Sequence, residues 1–251
     1  MRLVNAEILK LVRRRGTMIW SALLTVGSVL VTEIVLVTLH AVNGAKHGPA
    51  GGTTNLDHLV FVIGGLGTVA SILLGAAAGT QDLSAGVFRD LVVTGRPRKT
   101  LFNVRYPGAV AVFMPLLALA YGIAVVCAYV FAGGTPTPSA GAVGHYAAYL
   151  AAITLVNIAV TLGLAAFASS RVVVGVMIAW VAIVSPLLRN ITALGGARKG
   201  LYPSAAETFL PKTADVGTRI AMTNQTAVAV LIGWSVVFLL AGRWWTERRS
   251  A

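Results

Sequence analysis

The chain has 251 residues, of which 57% are hydrophobic and 11% are charged, and its formal net charge is +12. Soluble domains carry about 25% charged residues, so this composition excludes an ordinary soluble protein. The single cysteine, Cys127, excludes an intrachain disulfide. Because the basic residues cluster beside apolar runs, we expect membrane lipids, and not nucleic acid, to be their partners.

The first 17 residues predict an amphipathic helix that lies in the membrane interface. Val4, Ile8, Leu11 and Val12 fall on one side at helical spacing, and the basic residues fall mostly elsewhere. A simpler interpretation stays open, in which this stretch only orients the span that follows it. The next apolar run is longer than the core of a cleaved signal peptide, so we expect it to be retained.

Six apolar stretches approach the length of about 20 residues that a transmembrane helix needs. They predict an all-α, polytopic membrane protein with a single transmembrane domain over residues 1–251. Only three residues, 169–171, separate the fourth stretch from the fifth, which predicts a tight turn. The predicted spans are 18–39, 59–80, 108–131, 146–168, 172–188 and 225–242.

The distribution of Lys and Arg predicts the orientation of the chain. Fourteen of these residues lie in the two terminal segments, in the loop 81–107 and in the turn 169–171, and six lie in the other loops. The positive-inside rule therefore places both termini and the loop 81–107 in the cytoplasm. The outer segment 189–224 scatters apolar residues between Pro203 and Pro211, which predicts short helices or a re-entrant segment there.

The loop 81–107 has the pattern of a docking element. Apolar residues recur at helical spacing, Asp82 or Ser84 is placed to cap a helix, and Gly95 and Pro97 are placed to end it. This pattern predicts a short amphipathic helix, and the alternative is that the helix merely lies on lipid. The residues that we expect to contact a partner protein are Asp82, Leu83, Val87, Phe88, Arg89, Asp90, Leu91 and Arg96.

The sequence shows no constellation of catalytic residues. No phosphate-binding loop of the form G-x-x-x-x-G-K-S/T occurs, so the chain has no evident means of cradling nucleotide phosphates. No Cys/His spacing resembles a zinc site, and His47 with Asp57 and His58 is a weak metal candidate. We expect a protein that is not an enzyme by itself and that binds neither a metal nor a cofactor.

Glu33 is the only carboxylate within a predicted span. A charge near the bilayer centre costs roughly 2.5–3.5 kcal/mol even on insertion scales, so such groups usually face a cavity or a partner. We expect Glu33 to contact a cationic substrate or to line a polar path; a headgroup contact or a structural hydrogen bond are the alternatives. The other candidates for this path are Thr25, Ser28, Thr32 and Asn157, which are also residue types that hold helices together.

Three stretches resemble the membrane subunits of type-2 ATP-binding-cassette (ABC) transporters of the exporter kind. The family's interfacial helix and the start of its first span resemble AEILKLVRRRGTMIW. Its coupling helix and the basic segment that follows resemble QDLSAGVFRDLVVTGRPRKTLFNVR. The end of the chain resembles actinobacterial members of the family. Their outer Leu-Pro motif resembles FLPKTADVGTRIAM, and their last helix and arginine-tipped tail resemble WSVVFLLAGRWWTERR. The six-span layout extends the resemblance over nearly the whole chain, although the family commonly has Glu where this chain has Asp82.

The resemblance implies the membrane-spanning permease of an ATP-driven exporter. A separate ATPase, which holds ATP and Mg, would bind the coupling helix on the cytoplasmic side. Two membrane subunits, identical or paralogous, would pair and alternately expose a central path. Two other functions stay open: an ion-coupled secondary carrier with Glu33 as its proton site, and a non-transporting membrane anchor or assembly factor.

Overall fold

The computed structural model of the chain describes residues 2–84, 97–211 and 219–248, with the backbone alone for residues 2 and 81–84. Within these residues all regular elements are helices, and six of them are long and apolar enough to cross a membrane. The predicted all-α, six-span architecture is therefore confirmed. We call the six helices the first to sixth spans: Arg15–Val42, Thr53–Ser84, Arg105–Val130, Ala140–Leu164, Ser170–Asn190 and Asn224–Arg248.

Shorter helices connect and precede the spans. An N-terminal helix covers Arg2–Val12, and a connecting helix, Arg98–Asn103, leads into the third span. The first and fifth spans each contain a π-helical turn, at Leu23–Gly27 and Trp180–Val184. Short helices also form in the predicted outer segment, as expected; they are Thr192–Gly200, Tyr202–Ala206 and Glu207–Phe209, and a further single turn is Gly44–His47.

The second and fourth spans form the centre of the bundle. In their most apolar stretches 67% and 61% of the residues are buried, against 17% in the first, fifth and sixth spans. Glycines allow the two central helices to approach closely: a Cβ on Gly79 would lie 2.3 Å from Cβ of Ala165, and Gly75 faces Thr161. Small residues at such crossings let helix backbones pack against each other, so these two glycines serve contacts within the chain.

The fourth and sixth spans cross at a second pair of glycines. A Cβ on Gly163 would lie 2.3 Å from the backbone oxygen of Phe238, and one on Gly242 would lie 2.9 Å from Cα of Gly163. The ring of Phe102, from the connecting helix, packs against the same place on Gly242. The fourth span, the sixth span and the connecting helix therefore meet at Gly163 and Gly242, where a side chain larger than that of glycine would not fit.

Substitution of Gly163 by Val is expected to destabilise the protein by about 1–3 kcal/mol, because the added methyl groups would meet the backbone of the sixth span. Thermal unfolding of the purified chain in detergent micelles measures the change. Gly122→Val in the third span is the matched control, since a Cβ at Gly122 meets nothing within 4 Å. Equal unfolding temperatures for the two variants would contradict this packing.

The structure brings the N-terminal helix and the connecting helix to one end of the bundle, which we call the terminal end. There Gly108 of the third span packs against Glu7, and a guanidinium nitrogen of Arg105 donates to the backbone oxygen of Gly79 at 3.0 Å. The rings of Phe167 and Trp245 lie 5.2 Å apart at the same end. The ends of the second, fourth and sixth spans and the starts of the first, third and fifth therefore lie together.

The structure differs from two expectations about the loop 81–107. Of the two candidates for a helix cap, Asp82 and Ser84, Asp82 is excluded, because the helix of the second span continues through it to Ser84. Ala76, Ala77 and Ala78 favour the helical conformation before this point, and the hydroxyl of Thr80 donates to the backbone oxygen of Ala76 within the same helix. Arg105, expected in a polar loop, begins the third span and is 2% exposed, because basic groups are favoured near the carbonyls at a helix C-terminus.

The N-terminal helix is shorter than the predicted 1–17, and it also packs on protein. It ends at Val12, since the backbone of Arg14 is not helical, and the first span begins directly afterwards. Leu11 is fully buried, whereas Leu9 is 57% exposed and Val12 is 48% exposed. One apolar side therefore contacts the bundle, and the other is exposed.

Candidate functional site

Glu33 lies on the buried face of the first span. Ser21, Thr25 and Val29 precede it on this face at intervals of four residues, and all four side chains are at most 5% exposed. Neither carboxylate oxygen of Glu33 has a hydrogen-bond partner among the described residues. A structural hydrogen bond therefore does not account for Glu33 within this part of the chain, and a buried polar group left without one costs about 1–3 kcal/mol.

The three hydroxyl candidates of the first span are satisfied by their own helix. Thr25 donates to the backbone oxygen of Ser21 at 2.7 Å, and Thr32 donates to that of Ser28 at 2.8 Å. Ser28 donates to the oxygens of the two residues three and four positions before it, at 2.8 and 2.9 Å. These bonds lie in and next to the π-helical turn. Thr25 lies on the buried face with Glu33, whereas Ser28 and Thr32 are only partly buried.

Asn157 belongs to a separate hydrogen-bond network. It is fully buried; its amide nitrogen donates to the hydroxyl of Thr68 at 3.2 Å, and its amide oxygen accepts from the hydroxyl of Tyr202 at 2.8 Å. Burial raises the pKa of Tyr202, which keeps that hydroxyl a proton donor. The network joins the second and fourth spans to the segment before the sixth, and a structural role accounts for Asn157 without a substrate.

An ion pair closes the end of the bundle opposite the terminal end. Arg189, at the end of the fifth span, lies 2.6 Å from a carboxylate oxygen of Glu207, and both side chains are 13% exposed. Burial raises the pKa of Glu207, and the charge and hydrogen bond of Arg189 lower it to a smaller extent. The pair therefore fixes the position of the short helices more than it stabilises the fold, because desolvation outweighs the attraction.

Arg189→Met is expected to destabilise the protein by about 3–5 kcal/mol at neutral pH, because it leaves the carboxylate of Glu207 buried without its partner. With its pKa raised in the folded state, Glu207 favours folding most at low pH, so the deficit should shrink as the pH falls toward the ordinary pKa of glutamate. Thermal unfolding between pH 5 and pH 8 measures this.

The double variant Arg189→Met plus Glu207→Leu is the control for that substitution. It removes both charges, so it should recover most of the lost stability. Position 207 should then no longer contribute to the pH dependence of the unfolding temperature. If the double variant unfolds as early as the single one, the pair is not the source of the effect.

The predicted metal candidates do not converge. The carboxylate of Asp57 accepts a hydrogen bond from the hydroxyl of Tyr146, which lies in the fourth span. Across residues 2–84, 97–211 and 219–248 no group of three or more His, Cys, Asp or Glu side chains is placed to hold a metal ion.

Most of the predicted coupling residues fall outside the described residues: Val87, Phe88, Arg89, Asp90, Leu91 and Arg96. Asp82 and Leu83 lie in the last turn of the second span, where the backbone alone is described. Six of these residues lie in residues 85–96, and five residues separate this stretch from Gly79 on one side and from Phe102 on the other. Gly79 and Phe102 both pack at the terminal end, so the described residues on either side of 85–96 lie there.

A cavity at the terminal end was not predicted from the sequence. Its volume is about 570 Å³, and it lies between the start of the first span, the end of the second span and the turn before the fifth. Arg14, Thr17 and Trp20 line it at the start of the first span, and Ser169 and Ser170 line it where the turn meets the fifth span. The five residues are spread over 157 positions of the chain, so no local pattern could have shown that they meet.

Comparison with known proteins adds no identity to this description: no family model and no curated protein matches the chain.

Proposed function

We propose that the protein is the membrane-spanning permease subunit of an ATP-driven ABC exporter. In this role it is not an enzyme by itself, and a separate ATPase binds the stretch between the second and third spans. A second permease, identical or paralogous, completes the substrate path. The protein then lies in a bacterial plasma membrane with both termini and the ATPase in the cytoplasm.

The anchoring of the stretch 81–107 is the observation that carries this role. Its sequence has an apolar stripe that needs a groove, and packed helices hold it at both ends. Arg105 links the start of the third span to the end of the second through the backbone oxygen of Gly79, and Phe102 packs against Gly242 of the sixth span. A force applied to this stretch would therefore reach three spans.

The exposed faces of the outer spans support a second membrane subunit. The first and fifth spans pack on the central second span but bury few of their own residues within the chain. Large apolar side chains remain exposed along them, for example Val31 at 62%, Ile34 at 64% and Leu187 at 61%. A partner permease and lipid together would cover these faces, since both are apolar surroundings for helix surfaces.

Copurification tests the proposed function. The tagged chain should retain an ATPase that bears a phosphate-binding loop when both are expressed together, and the complex in proteoliposomes should transport only with hydrolysable ATP. Transport by the purified chain alone, without any ATPase, would contradict the proposal.

An ion-coupled carrier is the second candidate function, and the buried Glu33 favours it. Its carboxylate has no hydrogen-bond partner in the described part of the chain, so no group there accounts for it structurally, and carboxylates within membrane spans commonly mark proton paths. A proton gradient would then drive transport by the purified chain, and Glu33→Gln would abolish that transport.

A further inference from the structure

The cavity at the terminal end combines a cationic group with an apolar wall. Arg14 and Thr17 contribute polar groups, and Leu73, Ala77 and Phe167 contribute apolar surface. Its volume of about 570 Å³ lies within the range of roughly 300–1,000 Å³ that is typical of small-molecule sites. The chemistry of the lining therefore suits an amphiphile with a negative charge.

Arg14 is the basic residue that lines this cavity, and it is the group that would bind an anion. Its side chain is partly buried, and its guanidinium has no ion pair or hydrogen bond with any residue that the structure describes. Glu7, the carboxylate of the N-terminal helix, lies 2.5 Å from the ammonium of Lys10 instead. Phosphate groups match the fork of donors on a guanidinium, because two parallel hydrogen bonds can form.

The position of the cavity points to the headgroup layer of a bilayer. The polar lining residues lie near the ends of spans: Thr17 is in the first turn of the first, Thr80 lies near the end of the second, and Ser169 immediately precedes the fifth. Trp20 stands at the rim and is 60% exposed, as interfacial tryptophans are. A second groove of about 510 Å³ shares Arg14 and adds Arg13, so the positive charge extends along the same surface.

We propose that this cavity is a binding site for an anionic phospholipid. The phosphate binds Arg14, and the acyl chains lie against the apolar wall formed by Leu73 and Phe167. Such a lipid would fasten the first span, the second span and the turn before the fifth span to one another. The site goes beyond the proposed transport function, and it is independent of whether an ATPase drives the protein.

Native mass spectrometry of the full chain in a mild detergent tests the site. Phosphatidylglycerol and phosphatidylcholine with the same acyl chains are titrated, and inorganic phosphate is added as a competitor. We expect retention of phosphatidylglycerol, a loss of affinity of about tenfold in Arg14→Gln, and retention of phosphatidylcholine that is weak throughout. Millimolar inorganic phosphate should not displace the lipid, since it lacks the acyl chains.

Two further variants keep this test decisive. Arg15→Gln makes the same change of charge at an exposed position that lines neither cavity, so its affinity should stay within twofold of that of the unmodified chain. Ser169→Trp fills the mouth of the cavity without a change of charge and should reduce retention as strongly as Arg14→Gln. Ser169 is exposed and its side chain caps no helix, so this variant should fold.

Three results would overturn the proposal. One is an equal loss of lipid in Arg14→Gln and Arg15→Gln, which would indicate general attraction of charge. Another is displacement of the lipid by inorganic phosphate, which would indicate a site for a free anion. The third is an unchanged lipid affinity in Ser169→Trp with a changed oligomeric state or loss of an associated protein, which would indicate a protein docking surface.

Discussion

The double substitution Val87→Asp plus Phe88→Asp is expected to abolish copurification with the ATPase. Both residues belong to the apolar stripe between the second and third spans, in a part of the chain outside the described residues. Charges placed in an apolar groove lose their hydration and gain no partner. Residues at the centre of an interface commonly contribute 2 kcal/mol or more each, so we expect affinity to fall by at least about 100-fold.

Lys99→Asp is the matched control for that substitution. It changes the net charge by the same two units, and it lies on an exposed position of the connecting helix. Both forms are purified with the tagged ATPase, and thermal unfolding confirms that each is folded. Retention of the ATPase by the double variant would contradict the coupling role of this stretch. Loss of the ATPase from the Lys99 variant would show that the change of net charge alone prevents binding.

Glu33→Leu is expected to lower ATP-driven transport of a lipophilic cation at least tenfold without lowering stability. A carboxyl that is 5% exposed and has no hydrogen-bond partner among the described residues costs the fold about 1–3 kcal/mol, and leucine of similar volume does not. Replacement should therefore leave the unfolding temperature unchanged or raise it. Proteoliposomes with the complete complex measure transport, and the unfolding temperature is measured on the same preparations.

Two comparisons make the result for Glu33 informative. Glu247→Leu removes an exposed carboxylate that pairs with Arg243 at 3.0 Å, and it should leave both transport and stability close to the unmodified values. Glu33→Leu with reduced stability would indicate a structural hydrogen bond, and full transport by a stable variant would remove Glu33 from the substrate path.

The helices that cross the membrane were the most predictable part of the fold. Hydropathy depends on composition over about 20 residues, so the six spans follow from the sequence with end points that differ by a few residues. The continuation of the helix through Asp82 was less predictable, because a short polar residue after an alanine-rich stretch is compatible both with capping a new helix and with continuing the old one. The structure shows that it continues.

Contacts between distant residues were beyond the reach of local patterns. The sequence makes Asn157 a candidate for the polar path or for holding helices together, but its partners Thr68 and Tyr202 lie 89 and 45 positions away. The burial of Arg105 depends on the backbone oxygen of Gly79, which becomes a neighbour only when the second and third spans pack. Glu33 was identified from its type alone, because a carboxylate in an apolar run is unusual wherever it points.

Accessibility of a cysteine at position 88 tests the central claim most directly, which is that a cytoplasmic ATPase binds the stretch between the second and third spans. Cys127 is the only cysteine, so Cys127→Ser plus Phe88→Cys gives a chain with one reporter thiol. A membrane-impermeant maleimide should label this thiol in inside-out vesicles and not in intact cells, and bound ATPase should protect it. Labelling from outside intact cells, or no protection by the ATPase, would contradict the claim.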